Sequence, residues 1–161
     1  MTPESQLTVK PGLSLAALLL LVASCSPDQP PELRLSDAWA RETVSGQTAT
    51  AAYLTIANRG GSADTLVAVG APVPARASLH RTRRDDGIAR MRPIEGGLEI
   101  PPGESVRLEP GGPHIMIENL AGPLGAGETL RLTLRFTRTG ERAVDMPVAV
   151  AGATGPAHQG H

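Results

Sequence analysis

The nine residues Thr129-Leu130-Arg131-Leu132-Thr133-Leu134-Arg135-Phe136-Thr137 alternate between apolar and polar without a break. Such alternation sends the leucines and Phe136 to one face of an extended chain and the arginines and threonines to the other; a helix would scatter both sets around its circumference. A strand with one dry face and one wet face is expected here. Other segments carry the same signal in shorter form. Thr48–Asn58 alternates through its second half and stops at Asn58-Arg59-Gly60-Gly61, a strong turn. Asp64–Val69 and Ala77–Arg81 follow, the latter entered after Pro72 and Pro74. Gly97–Ile100 and Ser105–Leu108 flank the turn Pro101-Pro102-Gly103-Glu104, and a last strand spans Ala143 to Val150. Asp85-Asp86-Gly87 reads as a turn. Beyond the first two dozen residues no stretch has the periodicity of an amphipathic helix, so the chain is expected to be all-β, a sandwich or a barrel in a single domain.

Its interior must be built almost without aromatics. Trp39, Tyr53 and Phe136 are the whole inventory, so leucine, valine, isoleucine and alanine fill the core, with Trp39 and Tyr53 expected as structural anchors. Ahead of the domain, Lys10 and the amino terminus precede an apolar run from Leu13 to Val22. That run is short for a membrane span, which takes about 20 residues, and suits the hydrophobic region of a secretory signal. It ends in Leu21-Val22-Ala23-Ser24-Cys25, which resembles a bacterial lipobox with cleavage before Cys25 and acylation of its thiol. The alternative is ordinary signal cleavage nearby, leaving a free thiol. Cys25 is the sole cysteine, so no intrachain disulfide can form. The expected organisation is a signal peptide over 1–24, a flexible spacer over 25–32, one domain over 33–150 and a flexible tail over 151–161. The formal net charge is −1 and the basic residues, nearly all arginine, are scattered along the chain. No basic stripe is expected, and nucleic acid is excluded as a partner.

The chemistry is concentrated in Pro110-Gly111-Gly112-Pro113-His114-Ile115-Met116-Ile117. In a strand, His114 and Met116 share one face while Ile115 and Ile117 anchor the other. A thioether carries no proton, so the pair is a poor acid–base device, but imidazole and thioether together suit a soft ion, above all Cu(I). His80 and Met91 extend the set to two nitrogens and two sulfurs. Methionine also binds copper without deprotonation and does not form disulfides outside the cytoplasm. Met146 reads as a core filler. Enzymatic chemistry has no support: there is no nucleophile elbow, no paired carboxylates in a supporting context and no cysteine nucleophile.

Between Ser36 and Val148 the chain resembles the periplasmic copper chaperones of the PCu(A)C family. The resemblance is carried by Asp37-Ala38-Trp39-Ala40-Arg41, Ala51-Ala52-Tyr53-Leu54-Thr55-Ile56-Ala57-Asn58, Leu79-His80, the run from Met91 to Pro101, and Pro110 to Met116. The family signature is a histidine, a methionine about ten residues on, and a His-x-Met about twenty further; His80, Met91, His114 and Met116 stand in those places. The resemblance implies a cupredoxin-like Greek-key β-sandwich with an exposed Cu(I) site. It also implies transfer of Cu(I) in the bacterial periplasm to a copper-accepting membrane protein, a cytochrome c oxidase subunit or another copper chaperone, during assembly of the oxidase copper centre. A lipid on Cys25 would tie this carrier to a membrane. Two family methionines are missing here, replaced by Ala89 and Arg81. His158 and His161 in the tail offer a weak second site for Cu(II). The alternatives are a copper storage or tolerance lipoprotein, and a metal-free β-sandwich that acts in envelope interactions.

Overall fold

The alternating segment from Thr129 is realised as a strand over Thr129–Phe136, with Leu130, Leu132, Leu134 and Phe136 buried and Arg131 and Arg135 exposed. The structure, a computed structural model, describes residues 29–156. The expected signal peptide, Cys25 and the tail histidines His158 and His161 lie outside the described residues. In chain order the strands are β1 (Leu33–Arg41), β2 (Thr50–Asn58), β3 (Asp64–Gly70), β4 (Arg76–Asp85) and β5 (Ile88–Pro93). They continue as β6 (Leu98–Ile100), β7 (Ser105–Leu108), β8 (Pro113–Glu118), β9 (Thr129–Phe136) and β10 (Gly140–Ala149). No helix occurs among the described residues.

Neighbouring strands run in the order β5-β4-β8-β2-β1-β10-β9-β3-β6, with β7 pairing the second half of β2. β10 is the seam. From Gly140 to Pro147 it pairs antiparallel with β9, and its end then pairs parallel with β1 through Val148 and Ala149. The two halves enclose one core, in which Leu54, Ile56, Ile115 and Ile117 from one half meet Leu66, Leu132, Leu134 and Phe136 from the other. Met146 is fully buried among them, as its reading as core filler requires. The fold is all-β and cupredoxin-like.

Two strands escape the sequence pattern. β1 contains Asp37 at φ 52°, and its register with β2 shifts between Ser36 and Trp39, so a bulge breaks the period of two. β5 is exposed at every position and has no apolar rhythm to read. It exists because β4 runs past the end of β8 and turns back through Asp86 (φ 51°) and Gly87 (φ 80°). Two central residues with positive φ make the tight turn that matches strand twist, which explains the Asp-Gly pair. The aromatics also divide differently from a simple core. Phe136 belongs to the main interior, whereas Trp39 and Tyr53 form a separate buried cluster with Ala149.

At one end of the sheet Asn58 ties several segments together. Its side-chain oxygen accepts from the N–H groups of Glu32 and Gly60, and its nitrogen donates to the carbonyls of Ser62 and Ile100. The described part of the expected flexible spacer is held here: the Ser62 hydroxyl donates to Gln29 O and Arg59 N–H to Glu32 O. Gly60 permits this approach, since a Cβ there would collide with the Pro30 carbonyl and the backbone of Pro31 and Glu32.

Candidate metal centre

β8 lies between β4 and β2, so its outward face is set by its neighbours' register. His80 stands directly opposite His114, and Met116 stands opposite Ser78 on one side and Ala51 on the other. On the far side of β4, Thr82 faces Met91 and His80 faces Pro93. Directly paired residues share a face, so His80, Met91, His114 and Met116 all project from the same side. Met91 sits diagonally from His80. Ile115 and Ile117 project into the core and are fully buried, which fixes the strand that carries His114 and Met116. The short side chains of Ser78 and Ala51 leave lateral room for the Met116 thioether.

The two imidazole rings are 6.2 Å apart between centroids. The His114 Nδ1 lies 3.0 Å from Gly112 O. A carbonyl only accepts, so Nδ1 carries the proton and Nε2 presents its lone pair. That Nε2 is buried with no partner, and so is Nδ1 of His80. Gly112 O also accepts the Thr82 N–H at 3.1 Å, so one turn fixes both the histidine tautomer and the start of the Met91 hairpin. A backbone carbonyl holding the distal N–H of an imidazole is the usual support of a metal-bound histidine. Burial differs within the set: His114 is 3% exposed and Met91 is 51% exposed. Among the described residues no three His, Cys, Asp or Glu side chains converge on a metal position. The donors that do share a face are imidazole and thioether, a soft set that fits copper(I) and lacks the carboxylates of a hard-ion site.

The row continues inward. Tyr53 lies 6.5 Å from His114 and Trp39 lies 4.5 Å from Tyr53, centroid to centroid. The Arg41 guanidinium stacks over both, 5.7 Å from Tyr53 and 5.9 Å from Trp39. Burial pushes the Tyr53 phenol above its ordinary pKa, and the nearby Arg41 charge opposes this only in part. The phenol is thus neutral near pH 7 and is no anionic ligand. Trp39 and Tyr53 are therefore anchors, and they also form the floor beside His114. The parity of β1 and β2 held that information, but only once the bulge at Asp37 is known.

The structure also corrects the picture of scattered positive charge. Arg81 pairs with Arg92 and Arg83 with Arg90 across the β4–β5 hairpin, so arginines from its two arms meet on one face.

Residues 33–148 match the family model described as "Putative lipoprotein LpqE-like". A Leifsonia xyli protein described as "Putative lipoprotein Lxx21020" is 34% identical over 147 residues, covering 84% of this chain and 86% of its own. An uncharacterized Rickettsia prowazekii protein, RP573, is 28% identical, covering 89% of this chain and 83% of its own. Among solved structures, the copper-bound PCuAC domain from PmoF2 superposes with TM-score 0.60 at 23% identity, covering 75% of this chain and 95% of that one. The copper(I) form of DR1885 from Deinococcus radiodurans superposes with TM-score 0.53 at 29% identity, covering 72% of this chain and 75% of that one.

Proposed function

This chain belongs to the LpqE-like family, with a PCuAC-type fold, and on that premise we propose that it binds one copper(I) ion through His80, Met91, His114 and Met116 and passes it on by ligand exchange. The observation that carries the reading is the pair of buried, unpartnered imidazole nitrogens on the face that also bears two thioethers. Burying such a nitrogen without a partner costs about 1–3 kcal/mol, a cost that metal binding removes. A Deinococcus radiodurans relative solved with copper(I) supports the choice of ion.

The four ligands have unequal roles. His114 is held by Gly112 and by a strand anchored in the core, so it stays in place as copper comes and goes. Met91 lies exposed on the edge strand β5, which has a single neighbour. Its thioether detaches first, and a histidine, methionine or thiolate of the acceptor takes the vacated position. Copper then moves through a shared intermediate toward the tighter site, with no change of oxidation state and no covalent step. The proposed setting is the bacterial periplasm, with acylated Cys25 holding the carrier at a membrane. A membrane-bound acceptor in cytochrome c oxidase assembly is the destination we favour, because a tether raises effective concentration near such a partner.

The test is a Cu(I) competition titration of the full chain against a chromogenic chelator under reducing, anaerobic conditions, beside the His114→Ala/Met116→Ala variant. The proposal expects one tight equivalent that the variant loses. Equally weak binding by both chains would leave the metal-free envelope protein as the better account.

A further inference from the structure

Among the described residues, the β4–β5 hairpin is the one place where the sheet sets like charges directly against each other. Arg81 faces Arg92 and Arg83 faces Arg90, and all four project from the side opposite His80 and Met91. Like charges directly opposite each other destabilise a sheet. Among the described residues none of these guanidinium groups takes part in an ion pair or a side-chain hydrogen bond. Between Arg81 and Pro93 five arginines stand against two aspartates, a local charge of +3 in a chain whose net charge is −1. A cleft of about 270 Å³ opens on this face, lined by Arg81, Arg83, Asp85, Arg92, Pro93 and Ile94. Ile88, on the same face next to the tip, is an apolar side chain left 58% exposed.

The position of the hairpin suggests what it meets. β2 and β4 both run antiparallel to β8, hence in the same direction. His80 is level with His114, and Tyr53 follows Ala52, the partner of Ile115, so it is level too. Asp85 lies five residues beyond His80, and Asn58 five beyond Tyr53. The hairpin tip therefore reaches the same end of the sheet as Asn58 and its partner Leu33. Gln29 is fastened to Ser62 at that end, and Cys25 precedes it by four residues, roughly 14 Å of chain at full extension.

We propose that the arginine face of the β4–β5 hairpin docks on an anionic phospholipid surface, with Ile88 entering the interfacial layer. Guanidinium groups would pair with lipid phosphates, as basic residues do at negatively charged membranes, and Asp85 and Asp86 would weaken the attraction without reversing it. The orientation rests on the reading of Cys25 as the lipid-bearing residue, whereas the charge on the hairpin does not. Docking would hold the copper ligands at a fixed height above the bilayer.

Amide hydrogen exchange over residues 82–92 of the full chain tests this directly. The chain is mixed with vesicles of phosphatidylcholine alone, or with vesicles in which about a third of the lipid is phosphatidylglycerol. The exposed edge strand β5 exchanges fast when free. On the anionic vesicles its exchange is expected to slow by about tenfold or more, because basic residues are attracted to such a surface. The protection should vanish in about 0.5 M NaCl, where screening is short-ranged, and in the variant carrying Arg→Gln at positions 81, 83, 90 and 92. Unchanged exchange in β9 shows that the variant is folded. The comparison needs neither copper nor an acyl chain, so failure of either of those readings leaves it intact. Equal exchange on the two vesicle compositions overturns the proposal. Protection by soluble polyglutamate that exceeds protection by anionic vesicles also overturns it, in favour of an acidic protein partner.

Discussion

Asn58 and His114 are both polar side chains buried in the same sheet, 1% and 3% exposed, and the protein treats them in opposite ways. Asn58 uses its whole amide, accepting from Glu32 and Gly60 and donating to Ser62 and Ile100. Its neighbour Asp64 likewise accepts from the N–H groups of Thr65, Arg138 and Thr139. His114 bonds Gly112 with one nitrogen and nothing with the other, and His80 opposite it also keeps a buried nitrogen unpaired. Most polar groups that serve the fold are satisfied, because each buried orphan is expensive; the other two exceptions among the described residues are Arg41 Nε and Thr139 Oγ1. Polar burial alone therefore marks no site. Unmet hydrogen-bonding capacity next to sulfur donors on the same face is what supports the proposed one.

The sharpest way to break the comparison is to damage its satisfied half. Asn58→Ala removes four hydrogen bonds, from the Glu32 and Gly60 N–H groups and to the Ser62 and Ile100 carbonyls, and should cost about 4 kcal/mol of stability. Denaturant unfolding measures this, and copper stoichiometry in the native state should stay at that of the parent. His114→Leu should give the reverse. Structural zinc sites yield ~10–16 kcal/mol over four ligands, so loss of one ligand should weaken copper(I) binding roughly a hundredfold. Stability should hold or rise, since an apolar side chain of similar size replaces a desolvated nitrogen.

Acid sharpens the contrast further. Burial by itself would raise the pKa of Asp64, but the backbone N–H groups of Arg138, Thr139 and Thr65 outweigh it and hold the carboxyl below its usual range. A folded-state value below the unfolded one gives stability that is present above about pH 4 and lost as pH falls through the folded value. Asp64→Asn should therefore lower the thermal midpoint near neutral pH, and the gap to the parent should narrow in acid. The smallest effect is expected from Met91→Leu. This side chain is half exposed, so stability should be unchanged and copper affinity should fall about tenfold at most. Transfer to an acceptor chelator should alter more than affinity does.

How much of this was legible in the sequence differs from element to element. β9 was plain because every second residue enters the core, and β7 and the second half of β2 follow the same rule, whereas β3 slips by one where its register with β9 shifts between Leu66 and Ala68. β1 was hidden by the bulge at Asp37 and β5 by its complete exposure. The residue types of the candidate site were also plain, since His114 and Met116 alternate with two buried isoleucines. What could not be read was register. That His80 stands opposite His114 depends on pairing between strands more than thirty residues apart in the chain, and no local pattern encodes it. The arginine face was missed for a different reason: Arg81 and Arg83 read as scattered until the strand is folded about Asp86-Gly87, which brings them against Arg92 and Arg90. That turn was recognised, and its mirror pairing could have been worked out from it.

If the unpaired imidazole nitrogens of His80 and His114 are copper ligands, nitrogen-15 NMR of the histidine rings will report it. Copper(I) is diamagnetic, and the sequence has four histidines to assign. Before copper, His114 should appear as the tautomer protonated at Nδ1. With one equivalent of Cu(I), its Nε2 resonance and one ring nitrogen of His80 should shift while the His114 Nδ1 proton stays in place. Shifts confined to His158 and His161, with His80 and His114 unmoved, would contradict the account.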